Sequence, residues 1–184
     1  MTVPPFATYV ASHDGHTLRI AARMLGRLGQ PADAAVRLGA EPPEIDANRP
    51  VLLLAAVRYG RHLAPAEAFL ARYAALPERP PLAFASVNLT ARKPNKQTAE
   101  ESAYLRKSIT THGVQPVAAR AFAGRLDYPS YSLFDRTMIR FIMWITNGPT
   151  DPSTVQEFTD WADVDAFADS LPAVFGLHAA AEPG

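Results

Sequence analysis

Cysteine is absent from this chain, and with it go disulfides, iron–sulfur clusters and thiol nucleophiles. Long apolar runs are absent too. None reaches the length that spans a bilayer, and the N-terminus lacks the basic-then-apolar layout of a signal peptide. Those absences predict a cytoplasmic protein. Neither a G-x-G-x-x-G spacing nor a Walker lysine occurs, so a dinucleotide or a nucleoside triphosphate is poorly supported as a ligand. The five histidines are scattered, and nothing at suitable spacing joins them, so no metal site is expected. Residues 141–184 hold seven acids and no Lys or Arg.

What is present is ordinary in bulk and uneven in placement. A chain of 184 residues, 48% hydrophobic and 20% charged, suits one domain over 1–184 with a real core. Its net charge is zero, yet residues 58–140 carry thirteen bases against six acids, a surplus of seven, while residues 1–57 balance at five and five. Two explanations stay open: the middle segment faces something anionic, or the basic and acidic blocks neutralise each other in the fold. No nucleic-acid partner is expected, and a homo-oligomer is compatible with the sequence.

Apolar, β-favouring runs recur at Phe6–Ala11, Ala34–Leu38, Pro50–Val57, Pro81–Val87 and Val117–Ala123. Helical patterns fall between them, at Leu18–Leu28, Pro65–Leu76, Thr98–Thr111 and Trp161–Leu171, the last predicted to end before Pro172. "TAEE" reads as a capping box in which Thr98 and Glu101 satisfy helix-end donors reciprocally. Strands apolar on both faces, alternating with helices, predict an α/β fold with a parallel sheet covered on both sides. The alternation is broken by an insertion at about 126–159, which holds a further helical run, "SLFDRTMIRFIMWITNG", residues 132–148.

The loop between the first strand and the first helix reads "SHDGHT", residues 12–17. A helix start after a parallel strand presents unpaired N–H groups and a partial positive charge. Small and polar residues let a phosphate approach those donors. Ser12 and Thr17 offer hydroxyls, and Gly15 lets the backbone curl. With no Lys or Arg in the loop, the pattern fits a single phosphate monoester such as that of flavin mononucleotide (FMN); Ser, Asp and Thr also cap ordinary helices. The loops after two other strands, "AAVRYGRH" and "SVNLTARKPNKQT", fall at the same sheet edge, where doubly wound folds bind ligands. Tyr59 is suited to lie against a planar ring and Asn88 to bond its edge; local packing or turn roles suit them equally.

Taken together, "SHDGHT", "VRYGRH", "SVNLTARKPNKQT" with "YLRK", and "AGRLDYPSYSLFDRTMIRFIM" with the later "TDW" closely resemble the flavodoxin-like, quinone-dependent protoporphyrinogen IX dehydrogenases. The resemblance implies a flavodoxin-like, doubly wound five-stranded parallel sheet of order 2-1-3-4-5, with a long-chain helical insertion before the last helix. It implies bound FMN and oxidation of protoporphyrinogen IX to protoporphyrin IX in haem biosynthesis. Electrons would leave through menaquinone or ubiquinone, with peripheral contact at the inner face of the cell membrane. Carried over by position, Ser12, His13, Asp14, Gly15, His16 and Thr17 would hold the phosphate. Val57, Arg58, Tyr59 and Gly60, with Ser86, Val87, Asn88, Leu89 and Arg92, would border the ring.

Two expectations come from charge and amphipathicity. A rim of Arg58, Arg61, Arg92, Lys93 and Lys96 would favour the anionic reduced flavin and raise its potential, unlike the acidic surround of an electron-carrier flavodoxin. In the insertion helix, apolar residues occupy most of the circumference, while Arg136 and Arg140 share one face. Such a helix serves either as a substrate wall whose arginines meet propionates, or as an interfacial element at a membrane. A core helix with snorkelling arginines is the plain alternative. No catalytic acid or base is singled out. The rival activities on this scaffold are an electron-transfer flavodoxin and an FMN-dependent NAD(P)H:quinone reductase.

Overall fold

The computed structural model describes residues 5–145 and 147–177; Thr146, inside the expected helical run 132–148, lies outside the described residues. In chain order the elements are β1 (Ala7–Ala11), α1 (His16–Arg27), β2 (Ala35–Arg37), β3 (Val51–Arg58), β4 (Arg61–His62), α2 (Ala64–Ala74), β5 (Leu82–Asn88), α3 (Ala103–His112), β6 (Ala118–Ala123), β7 (Arg125–Asp127), α4 (Leu133–Ile145), β8 (Val155–Glu157) and α5 (Trp161–Val174). Five parallel strands run in the order β2-β1-β3-β5-β6. Counted by parallel strands alone, this is the expected 2-1-3-4-5.

The central strands are buried on both faces because their side chains alternate between two cores. Leu53 and Ala55 join Phe69, Leu70, Phe84 and Leu105 under α2 and α3. Leu52 and Leu54 join Ile20, Met24, Val164 and Leu171 under α1 and α5. Period-two alternation in an all-apolar strand therefore supplies both layers at once.

Several element boundaries differ from expectation. Helix α1 starts at His16, not Leu18. Thr98 and Glu101 do exchange the two box bonds, each 3.3 Å, but they close a turn. The helix itself begins at Ala103, where Ser102 accepts from Leu105 N–H. Thr98 instead bridges to Arg120 of β6, so sheet pairing outcompetes the local cap. Helix α5 runs through Pro172 to Val174. The proline sits in the last turn, and burial of Leu171 and Phe175 on either side holds that turn on the core.

The acidic C-terminal block is neutralised more by the N-terminal segment than by the basic middle one. Arg19, Arg23 and Arg27, spaced by four on α1, meet Glu157 (3.1 Å), Asp165 (2.6 Å) and Asp169 (2.8 Å). Three of the C-terminal acids thus serve the N-terminal segment; a fourth, Asp163, pairs with the middle one through Arg120 at 2.8 Å.

A second polar cluster lies between α2, α3 and β5. The Ser108 hydroxyl donates to Glu67 Oε1 (2.8 Å), and His112 Nε2 lies 2.6 Å from Oε2. Buried His62 donates from Nδ1 to Ser108 (2.8 Å), because the Ser108 hydrogen is already given to the carboxylate. His62, 3.7 Å away, does most to hold the Glu67 carboxyl down to about 2, against desolvation, with further help from His112 and Ser108.

Candidate functional site

The loops after β1, β3 and β5 converge at the carboxyl edge of the sheet, and the insertion folds over them. The β1–α1 loop enters its helix at Gly15, whose φ of +88° places it in the left-handed region. Gly15 N–H donates to Ser12 Oγ and His16 N–H to Asp14 Oδ1, each at 3.1 Å. The loop therefore satisfies two of its helix-end donors with its own side chains. Arg19, Arg58 and Arg125 line the cavity outside this mouth, with Asp14, Asp127, Asp135, Ser130 and Ser132. The loop has no arginine of its own; tertiary structure brings three to it.

An apolar slot continues inward from the mouth. Its walls are Ala56, Val57, Tyr59 and Leu63 from the β3–β4 region, Val87 and Leu89 beyond β5, Tyr104 of α3, and Met138, Ile139 and Ile142 of α4. His13, Asp14, His16, Arg58, Arg125 and Tyr131 border both spaces. An anion-compatible mouth thus opens into a slot suited to a flat apolar group.

Four side chains fasten α4 over this slot. Asp135, buried at 7% exposure, accepts from Arg58, from the Tyr59 hydroxyl and from Ser132 (2.7 Å). Arg58 first, then Tyr59 and Ser132, hold its carboxyl well below the usual range. Tyr59 and Gly60 both have positive φ, 51° and 76°, as a two-residue turn joining β3 to antiparallel β4 requires. A tyrosine takes that conformation at a steric cost; here its hydroxyl is anchored on Asp135.

His16 is buried at 5% exposure. The Thr159 hydroxyl donates to Ala123 C=O (2.8 Å), so the 2.7 Å contact between Thr159 and His16 is donated by His16 Nε2–H. That leaves Nδ1 as the bare nitrogen, and it is buried without a partner. Such an orphan costs about 1–3 kcal/mol. Burial pushes the imidazole below its usual pKa range.

Of the residues singled out by sequence, His13, Asp14, His16, Thr17, Val57, Arg58, Tyr59, Gly60, Val87, Asn88 and Leu89 line the slot, and Gly15 lines the mouth. Ser12, Ser86 and Arg92 are absent from that lining. Ser86 lies fully buried behind Asn88, bonded to its Nδ2 (3.1 Å) and to His62 (2.9 Å). Asn88 Oδ1 accepts from Ala91 N–H and Thr90 Oγ1, so the turn role is realised. Arg92 Nη1 donates to Leu89 C=O at 2.8 Å. On α4, Arg136 Nε donates to Tyr128 C=O (3.1 Å) and Arg140 Nε to Thr150 C=O (2.8 Å), bracing the insertion.

The expected basic rim needs correcting. Arg61, Lys93 and Lys96 do not line either space, and each arginine that does faces a carboxylate: Arg58 meets Asp135, Arg125 meets Asp127, and Arg19 meets Glu157. Local pairing cancels the excess positive charge on which the raised-potential argument depended. Sequence reasoning also missed Leu63, Tyr104, Arg125 and Tyr131. Arg125 and Tyr131 stand inside the quoted "AGRLDYPSYSLFD" stretch, but only the β7–β8 ribbon, pairing Leu126 with Gln156, turns them toward the first loop.

Comparison with known proteins agrees with this geometry. A family model described as "Flavodoxin domain" matches residues 8–153. "Protoporphyrinogen IX dehydrogenase [quinone]" of Escherichia coli (strain K12) is 36% identical over 161 residues, covering 86% of this chain and 89% of that protein. The protein of the same name from Leishmania major is 42% identical over 124 residues, covering 67% of this chain and 54% of its own length. No solved structure matches. On the fold, the shared span and the identity, the chain belongs to the family of flavodoxin-like, quinone-dependent protoporphyrinogen IX dehydrogenases.

Proposed function

We propose that this chain binds FMN and oxidises protoporphyrinogen IX to protoporphyrin IX, passing the electrons to a membrane quinone, menaquinone or ubiquinone. The observation that carries the reading is the joined pair of spaces: a glycine-opened helix mouth leading into an apolar slot. The residues present fit FMN, because the mouth offers hydroxyls and arginines to a phosphate, while the slot is walled by aliphatic and aromatic side chains. When bound, FMN supplies the two-electron acceptor.

In this reading Ser12 to Thr17 shape the phosphate end, Ser12 from behind by holding Gly15 N–H. Val57 to Gly60 and Val87 to Leu89 border the ring, with Ser86 and Arg92 fixing the backbone and amide beside it. The Asp135 fastening keeps α4 over the slot and excludes water. Arg136 and Arg140 keep the insertion in shape and supply the positive charge on α4 that a substrate bearing carboxylates meets. Leu133, Phe134, Phe141, Trp144 and Ile145 are exposed on the same helix. That surface suits the membrane interface from which a quinone is reached; no helix of the described residues is long and apolar enough to cross a bilayer.

The decisive experiment is anaerobic. Purified protein with FMN and a quinone should convert protoporphyrinogen IX faster than the uncatalysed background. Rapid flavin reduction by NADPH with no porphyrinogen turnover would instead establish the nicotinamide-dependent reductase. Gly15→Ala offers an independent check on the mouth. Open space surrounds the new Cβ, so the cost is that of the left-handed backbone, about 1–2 kcal/mol. The loop relieves it by relaxing, and FMN affinity, read by quenching of flavin fluorescence, should fall about tenfold.

A further inference from the structure

We propose that His16 takes up a proton on Nδ1 when a flavin phosphate enters the mouth, and then donates that N–H to the phosphate, so that cofactor and proton bind together. The inference rests on the FMN reading and adds to it a coupled equilibrium.

The geometry leaves His16 one nitrogen without a partner. Its Nε2–H is committed to Thr159, whose hydroxyl is committed to Ala123 C=O. The ring is walled by Trp161, 6.2 Å between centroids. Nδ1 is therefore a fixed lone pair, buried and unpartnered, on a side chain that lines both the mouth and the slot. A phosphate dianion that reaches this nitrogen is repelled by a lone pair, whereas an N–H there forms a charge-assisted hydrogen bond.

The surrounding charges permit either state. Glu157 of β8 and Asp14 of the loop favour the imidazolium; Arg19 of α1 and Arg125 of β7 oppose it. Glu157 is itself held by Arg19 and by Trp161 Nε1–H (2.7 Å). Burial, the largest of these influences, disfavours the charged ring in the free protein, and an added anion acts in the opposite sense. By linkage, a group whose pKa rises on binding takes up a proton between its free and bound values. FMN affinity should then increase as pH falls through that window, by up to about tenfold per pH unit.

Titration calorimetry of FMN binding at pH 7.5, in Tris and in HEPES, measures the protons taken up from the difference in apparent enthalpy. The expected result is uptake approaching one proton per FMN, and no uptake with riboflavin, which lacks the phosphate. His16→Gln should bind FMN more weakly with uptake abolished. If uptake persists in His16→Gln, the proton goes to the phosphate or to Asp14 and the proposal is overturned. FMN binding with no buffer dependence overturns it too, while leaving the cofactor reading intact. Failure of FMN to bind at all removes both. Should His16→Gln not fold, nitrogen NMR of the wild-type imidazole decides. Nδ1 should change from a bare to a protonated signal when FMN is added, and an unchanged bare signal would refute the proposal.

Discussion

Asp135→Ala should detach α4 from the body and cost about 2–3 kcal/mol. Asp135 is the common acceptor for Arg58, Tyr59 and Ser132, and it also closes the first turn of α4 through its N–H on Ser132 Oγ (3.2 Å). Truncation leaves the Arg58 guanidinium, only 21% exposed, without its carboxylate, and releases Tyr59 from its positive-φ turn. Removing one partner of a fully buried ion pair costs about 3–5 kcal/mol; the partial exposure of Arg58 lowers this toward charge-assisted hydrogen-bond values. The loss should be local, since α4 buries only Asp135 and Met143. Hydrogen exchange should accelerate across α4 while β3 and β5 stay protected. Porphyrinogen turnover should fall more than FMN affinity, because the Gly15 turn is untouched and the freed Arg58 still lines the mouth. Unaltered exchange in α4 would show that the apolar cluster of its Ile139 and Met143 with Leu126 and Tyr128 holds it unaided.

Glu67→Gln should remove a pH-dependent part of the stability. The carboxyl sits at about 2 in the fold against an ordinary 4.5. A depressed pKa contributes stability that is full above about 4.5 and is lost as pH falls toward 2. The difference corresponds to about 3 kcal/mol at 1.36 kcal/mol per unit. Because 29% of the side chain is exposed, about 2 kcal/mol is the better expectation. Urea unfolding at pH 7 should show the variant weaker by that amount, with the gap to wild type closing as pH drops to 3. A gap that stays constant would mean that Glu67 acts by shape and not by charge. The cluster reaches the slot through His62, Ser86 and Asn88, so the variant should also loosen the β5 end.

Much of the site could be read before any coordinates. "SHDGHT", "VRYG" and "VNL" each follow an apolar strand, and parallel topology places such loops at one edge whatever the details. What could not be read were partners distant in sequence. Arg58 was taken for a rim cation because Asp135 lies 77 positions away. His16 reads as one of six phosphate-loop residues, and nothing local foretells Thr159 beneath it. The capping box misled for the same reason: its two bonds form as read, but Thr98 pairs with distant Arg120, so the helix starts later.

The order of the parallel strands and their helices, the two-faced burial of the sheet and the placing of the first loop at its carboxyl edge were determined by the sequence alone, because each follows from short-range periodicity and from the rules of parallel connection. Which carboxylate each arginine at the mouth meets, which imidazole nitrogen is left bare, and how the insertion is fastened over the slot were decided only by tertiary structure. Those properties depend on pairings between residues far apart in the chain, and in a buried site the partner, more than the residue type, sets charge, tautomer and position.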